Sequence, residues 1–147
     1  MSARVVVGID GSPEARSALR WAGWYAGVTG AELHAVHAWQ RGMALDLEGP
    51  PPCDAEDLAA CIEEELQRRV AEIAGPEVIA TCAALTGTPA SAIVRYAERR
   101  SAELIVVGAC GTGTARRALL GSVSRQLTEA PRHAVTVVPD DEDGDLG

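Results

Sequence analysis

Phenylalanine is absent from the 147 residues, and aromatic side chains make up only 3% of them. A core built by this chain must therefore come from Val, Leu, Ile and Ala, within a hydrophobic share of 47%. That composition suits strands covered on both faces, which read as aliphatic runs in parallel sheets. The length fits one domain and is enough to bury a core. Basic residues are also scarce. Thirteen Lys and Arg face 21 Asp and Glu, giving a net charge of −8 and a pI near 4.8. This excludes non-specific binding to DNA, RNA or anionic membranes, which rests on clustered cations. It leaves room for a small anion, because backbone N–H groups can hold a phosphate without net positive charge.

Long hydrophobic runs are missing too. No stretch reaches the ~18 consecutive apolar residues of a membrane span. Met1-Ser2-Ala3-Arg4 runs straight into Val5-Val6-Val7 without a charged leader and apolar segment, so the cytoplasm is the expected compartment. The four cysteines, Cys53, Cys61, Cys82 and Cys110, form no C-x-x-C pair. With His34, His37 and His133 they do not reproduce the clustered spacing of a zinc site, and no metal site is expected. Free thiols in a reducing compartment are the expected state.

What is present is a regular alternation of strand and helix signals. Residues 4–9 read as a buried strand, followed by the turn Asp10-Gly11-Ser12-Pro13, with Ser12 as helix cap and Pro13 in the first turn. Ala15, Ala18, Leu19, Ala22 and Ala26 recur at helical spacing, and Gly30 ends that helix. Residues 32–39 are the second strand. Residues 40–53, with Pro50-Pro51-Pro52, are an exposed loop, the expected mobile segment. Leu58, Ile62, Leu66, Val70 and Ile73 form the buried stripe of a second helix that Gly75-Pro76 closes. Residues 77–85 are a third strand, Thr88-Pro89 opens a third helix, and residues 103–107 are a fourth strand. A glycine-bearing segment runs from 108 to 121. Ser122 is the expected cap of a short helix, and residues 134–138 form the last strand. The order β-α-β-α-β-α-β-α-β predicts an α/β fold: a doubly wound five-stranded parallel sheet with helices on both faces. One domain over 1–139 and a disordered acidic tail over 140–147 are expected.

Ligands of such sheets bind at the carboxyl ends of the strands where the winding reverses. If strands one and four meet there, Asp10-Gly11-Ser12 lies beside the 108–121 segment. Gly108 and Gly111 permit unusual backbone conformations and close approach to a ligand, and Gly121 does the same at the helix entrance. The first N–H groups of that helix lack intrahelical partners and lie at its positive end. Ser122 and Ser124 add hydroxyls, and the whole reads as a phosphate cradle. Gly108-x-x-x-x-Gly113 is followed by Thr114-Ala115, so the Walker lysine is missing. Gly111-Thr112-Gly113 lacks the third glycine of the dinucleotide pattern.

The spacing G-x-x-G, nine residues, G-[ST], present here as Gly108, Gly111, Gly121 and Ser122, resembles the nucleotide-binding signature of universal stress proteins. The opening Val6-Val7-Gly8-Ile9-Asp10-Gly11-Ser12 and the closing run from Pro131 to Val138 are similar to the same family, so the resemblance spans residues 4–139. It implies an ATP site, with AMP or ADP as possible occupants and Mg²⁺ carried by the nucleotide phosphates. Gly8, Ile9, Asp10 and Ala38 would meet the adenine, with Val107 packing near the base. Gly108 would approach the ribose and Gly111 the phosphates, while Gly121, Ser122, Val123 and Ser124 would hold the phosphates. Asp10 reads equally as a turn aspartate satisfying local N–H groups, and Ser122 as a plain helix cap. Cys110 stands where family members often carry a basic or polar residue. Arg116 and Arg117 read either as a cover for the phosphates or as solvated surface residues.

No catalytic constellation stands out, and slow or absent hydrolysis is expected. The leading expectation is an ATP-binding, stress-response or signalling protein. The alternatives are a nucleotide-free interaction protein of the same fold and a slow ATPase. The last strand, Ala134–Val138, is apolar and expected at a sheet edge, where it would pair with a second copy in a homodimer.

Overall fold

The computed structural model describes residues 3–39, 55–109, 122–129 and 133–140. The 40–53 loop, Cys53, Cys110, Gly111, Arg116, Arg117 and Gly121, and the tail beyond 140, lie outside the described residues. Five strands form one sheet: β1 (Arg4–Gly8), β2 (Glu32–Trp39), β3 (Ala80–Thr86), β4 (Leu104–Gly108) and β5 (Ala134–Val138). Their spatial order is β3-β2-β1-β4-β5, and every pairing is parallel. The winding reverses between β1 and β4, with Val7 opposite Val106, which meets the condition set for the expected site. The α/β, doubly wound reading is therefore correct.

The helices are α1 (Pro13–Thr29), α2 (Ala55–Arg69), α3 (Pro89–Arg99) and α4 (Ser122–Glu129). Strand alternation divides the core. Val5, Val7, Leu33, Ala35, Leu104 and Val106 meet Ala18, Leu19 and Ala22 of α1 and Ile62 and Leu66 of α2. Val6, Val36, Ile105 and Val107 meet Ile93, Tyr96 and Ala97 of α3 and Leu127 of α4. Each fully buried aliphatic side chain contributes roughly 1.5–3 kcal/mol. The core thus supplies what the missing phenylalanines would have given.

Helix ends follow the sequence. The Ser12 hydroxyl accepts the Ala15 N–H at 3.1 Å, and Gly30 closes α1 in the left-handed conformation at φ 78°. The stripe of α2 runs on through a π-helical turn, Val70–Ala74, closed by the Gly75 N–H donating to Val70 O at 3.1 Å. Three strands differ in their bounds from the sequence reading, and β3 ends at Thr86 rather than 85. β3 starts at Ala80, not 77, because Gly75 to Val78 is taken up by a turn in which the Val78 N–H donates to Gly75 O at 3.1 Å. β1 ends at Gly8, and β4 is displaced one residue, to Leu104–Gly108. Ser122 is the first residue of α4 rather than its cap.

Candidate functional site

The carboxyl ends of β1, β2 and β4 lie side by side, and the site is assembled from what leaves them. Ile9 follows β1 directly. Its N–H donates to Val36 O at 2.9 Å, so β1 stays attached to β2 one residue beyond its end. The chain then turns. Gly11 takes φ 88°, a left-handed conformation that favours glycine, and the Ser12 N–H donates to Asp10 Oδ1 at 2.9 Å. The turn role foreseen for Asp10 is thus present, and the residue is otherwise exposed.

Two of the glycines read as ligand-approach positions have packing neighbours. A Cβ on Gly108 would lie 2.6 Å from Glu14 Cβ and 2.8 Å from the Glu14 carbonyl carbon, so β4 passes almost directly under the first turn of α1. A Cβ on Gly8 would lie 2.8 Å from Ile93 Cδ1 and 3.4 Å from Val107 Cγ1. Neither glycine has a left-handed φ; both are used for closeness, Gly108 to α1 and Gly8 to α3. Val107 is buried on the α3 and α4 side, and Ala38 lines the same side half-buried.

The far wall is α4. Ser124 is buried, and its hydroxyl donates to Ala109 O at 3.1 Å, which ties α4 to the residue after β4. Ala109 in turn gives its N–H to Val138 O at 2.8 Å. Val123 lies half-buried beside the same core. The structure places Gly8, Ile9 and Asp10 at the end of β1, Ala38 near the end of β2 and Val107 and Gly108 at the end of β4, and ties Ser124, next to Val123, to Ala109. Ser122 opens α4, and Gly111 and Gly121 lie outside the described residues.

Two residues absent from the sequence-based site belong to this region. His37 is only 5% exposed, and its Nδ1 lies 2.7 Å from Ile9 O. Glu14, whose Cβ abuts Gly108, holds a buried Oε2 with no hydrogen-bond partner among the described residues. It is a carboxylate beside the glycine loop that sequence reading did not single out. Its position after Pro13 marks a helix first turn and nothing more; only tertiary packing puts it against β4.

Charge and metal-binding capacity are limited. The chain contains no lysine, so any cation reaching a phosphate must be an arginine. Among the described residues no group of three or more His, Cys, Asp and Glu could hold a metal ion. Cys61 and Cys82 are free, and burial pushes the Cys82 thiol up to about 11, with the Glu63 charge adding to it. That thiol is inert at neutral pH. No helix among the described residues is long and apolar enough to cross a membrane.

Residues 1–139 match the model of the universal stress protein family. This chain belongs to that family. It is 37% identical over 141 residues to universal stress protein Rv2005c of Mycobacterium tuberculosis, covering 92% of this chain and 45% of the relative. To a universal stress protein of Mycolicibacterium smegmatis it is 31% identical, covering 94% of the chain and 48% of the relative. The chain thus spans about half the length of the curated relatives it matches. Among solved structures, a universal stress protein in complex with cAMP superposes with a TM-score of 0.66 at 29% identity, covering 95% of this chain and 98% of the other. The protein MJ0577 superposes with a TM-score of 0.67 at 20% identity, covering 95% and 96%, and supports the fold alone. So does a universal stress protein from Archaeoglobus fulgidus in complex with dAMP, with a TM-score of 0.61 at 22% identity over 92% and 97% of the two chains.

Proposed function

We propose that this universal stress protein binds an adenine nucleotide at the carboxyl ends of β1, β2 and β4, as the ligand-binding part of a stress-response or signalling protein. The observation that carries the reading is the convergence of the Ile9–Asp10 turn, Ala38, Val107 and the start of α4 on one edge of the sheet, with the full glycine spacing between β4 and α4. The family relative that superposes at 29% identity holds cAMP, an adenine nucleotide. ATP is the proposed ligand, with AMP or ADP as related occupants. The apolar Ala38 and Val107 suit a base, exposed Asp10 suits a polar edge of the base, and the α4 start with Gly121, Ser122, Val123 and Ser124 suits phosphates, next to Gly111. Mg²⁺ enters this reading as an ion carried by the phosphates and water; among the described residues no group of three or more His, Cys, Asp and Glu is gathered to hold it.

Hydrolysis is slow or absent in this reading, and occupancy acts by its different affinity for two states of the protein. A homodimer formed along β5, an edge strand whose residues are partly or fully exposed, and a cytoplasmic location belong to the same proposal. A monomer in sedimentation at micromolar concentration would refute the dimer.

One observation favours a second reading, a nucleotide-free interaction protein. Gly8 and Gly108 are already accounted for by Ile93 and Glu14, and the Ser124 hydroxyl is donated to Ala109. The deciding experiment is mass spectrometry of the small molecules released on denaturing purified protein, followed by calorimetry with Mg·ATP. Adenine nucleotide in the released fraction, and binding that Gly121→Val abolishes, are the expected results. No released nucleotide and no heat of binding would favour the second reading.

A further inference from the structure

β1 ends at Gly8, so the carbonyl of Ile9 has no strand partner of its own, yet Ile9 is only 5% exposed. A buried carbonyl in that position needs a donor. The donor is a side chain. His37, two residues before the end of β2 on the side facing α1 and α2, places Nδ1 at 2.7 Å from Ile9 O. A carbonyl oxygen only accepts, so Nδ1 carries the hydrogen and Nε2 is the bare nitrogen. With the Ile9 N–H held by Val36 O at 2.9 Å, both polar groups of the residue entering the turn are fixed by β2. The next residues, Asp10 to Ser12, form the turn assigned to the nucleotide.

We infer that His37 is a positioning residue of the nucleotide site, which sets the β1–α1 turn through Ile9. The role rests on the nucleotide-binding reading only in its consequence for affinity. The anchoring itself is a property of the free protein. Nε2 is buried with no hydrogen-bond partner among the described residues, so a second proton there would find no acceptor. Burial holds the imidazole below its ordinary range; the bond to Ile9 and the charge of Asp10 oppose this, and Arg69 on α2 reinforces it. The neutral ring with hydrogen on Nδ1 is therefore the form that holds the turn. Because burial lowers its pKa, this form persists in the folded protein below the range where a free imidazole takes up its proton.

The test compares the intact protein with His37→Leu, His37→Asn and His37→Gln. Asn carries its amide nitrogen near the Nδ1 position and cannot titrate, Gln reaches the Nε2 position instead, and Leu offers no donor. Hydrogen exchange without nucleotide should show faster exchange at the Ile9 and Ser12 amides in His37→Leu and His37→Gln, and near-normal protection in His37→Asn. Calorimetry with Mg·ATP should show about a tenfold loss of affinity in the Leu and Gln variants. His37→Asn, which restores a donor at the Nδ1 position, should recover most of the affinity lost in His37→Leu. Native protection at both amides in His37→Gln and His37→Leu would overturn the inference, and so would a His37→Asn variant that loses as much protection and affinity as His37→Leu. Should His37→Leu fail to fold, the Asn and Gln pair decides alone. Altered exchange in a protein that binds no Mg·ATP would leave the anchor standing and remove the nucleotide reading.

Discussion

At Gly108 a single methyl group would collide with the backbone of another element. Its nearest neighbours would be Glu14 Cβ at 2.6 Å, the carbonyl carbon at 2.8 Å and the carbonyl oxygen at 2.9 Å, and backbone cannot swing aside as a side chain can. Gly108→Ala should therefore destabilise the fold by about 1–3 kcal/mol, the usual cost of overpacking. Urea unfolding would measure it, and an unchanged midpoint would show that α1 is free to lift. Gly8→Ala offers a contrast, because the atom in the way there is the end of the flexible Ile93 side chain. It should cost less. The same comparison explains what sequence could say about the site residues. The spacing of Gly108, Gly111, Gly121 and Ser122 is visible in one dimension, as is a turn at Asp10. That Gly108 faces Glu14, or that His37 reaches Ile9, depends on elements far apart in the chain, and no local pattern announces it.

At the scale of elements, capping chemistry was the most readable signal. Ser12 before Pro13, and Gly30 after Thr29, set the ends of α1 within a residue of where the sequence put them. Ser12→Ala removes the side-chain acceptor of the Ala15 N–H, which then keeps only the Ser12 carbonyl, and should lower stability by about 1 kcal/mol, measured by thermal or urea unfolding. The bond from the residue-12 N–H to Asp10 is a backbone bond and should survive the change. β2 and β5 were legible to the residue because Val, Leu and Ala run between clear breakers. β3 was not, because Glu77, Val78 and Ile79 have strand-like residues but are consumed by the turn that Gly75 begins. The π-helical turn at Val70–Ala74 also escaped. Its extra residue per turn keeps Val70 buried and Ile73 packed against the core, so the hydrophobic stripe looks unbroken in sequence.

At the scale of the molecule, the alternation of elements was enough to give a doubly wound parallel sheet, because right-handed crossovers leave few arrangements for five parallel strands; the meeting of β1 and β4 entered only as a condition, which the strand order meets. The same order puts β3 and β5 at the edges and the proposed ligand residues that leave β1, β2 and β4 near its middle. A ligand bound there bridges β1, β2, β4 and α4, and so should stabilise the whole cooperative unit. At a Mg·ATP concentration of 100 times Kd the gain should be about 2.7 kcal/mol, seen as a rise in Tm that grows with the logarithm of concentration. A Tm independent of nucleotide would contradict the proposed site. Acidification should also lower the stability of the free protein. His37 stays neutral in the fold at pH values where the unfolded chain takes up a proton, so the unfolded state gains as pH falls below about 6.5.

The distribution of indole rings gives the protein an optical asymmetry. Trp21 and Trp24 lie on α1 with ring centres 5.9 Å apart, and Tyr25 stacks on Trp21 at 5.2 Å. They are close enough to share excitation among themselves. Trp39 is separate: it ends β2 directly after Ala38, and its ring nitrogen is buried without a hydrogen-bond partner among the described residues. Emission from the α1 group is a steady background, while Trp39 samples the polarity at the end of the sheet. A Trp21→Leu, Trp24→Leu double variant would isolate that single emitter and turn the chain's poverty in aromatic residues into a spectroscopic window on the strand ends.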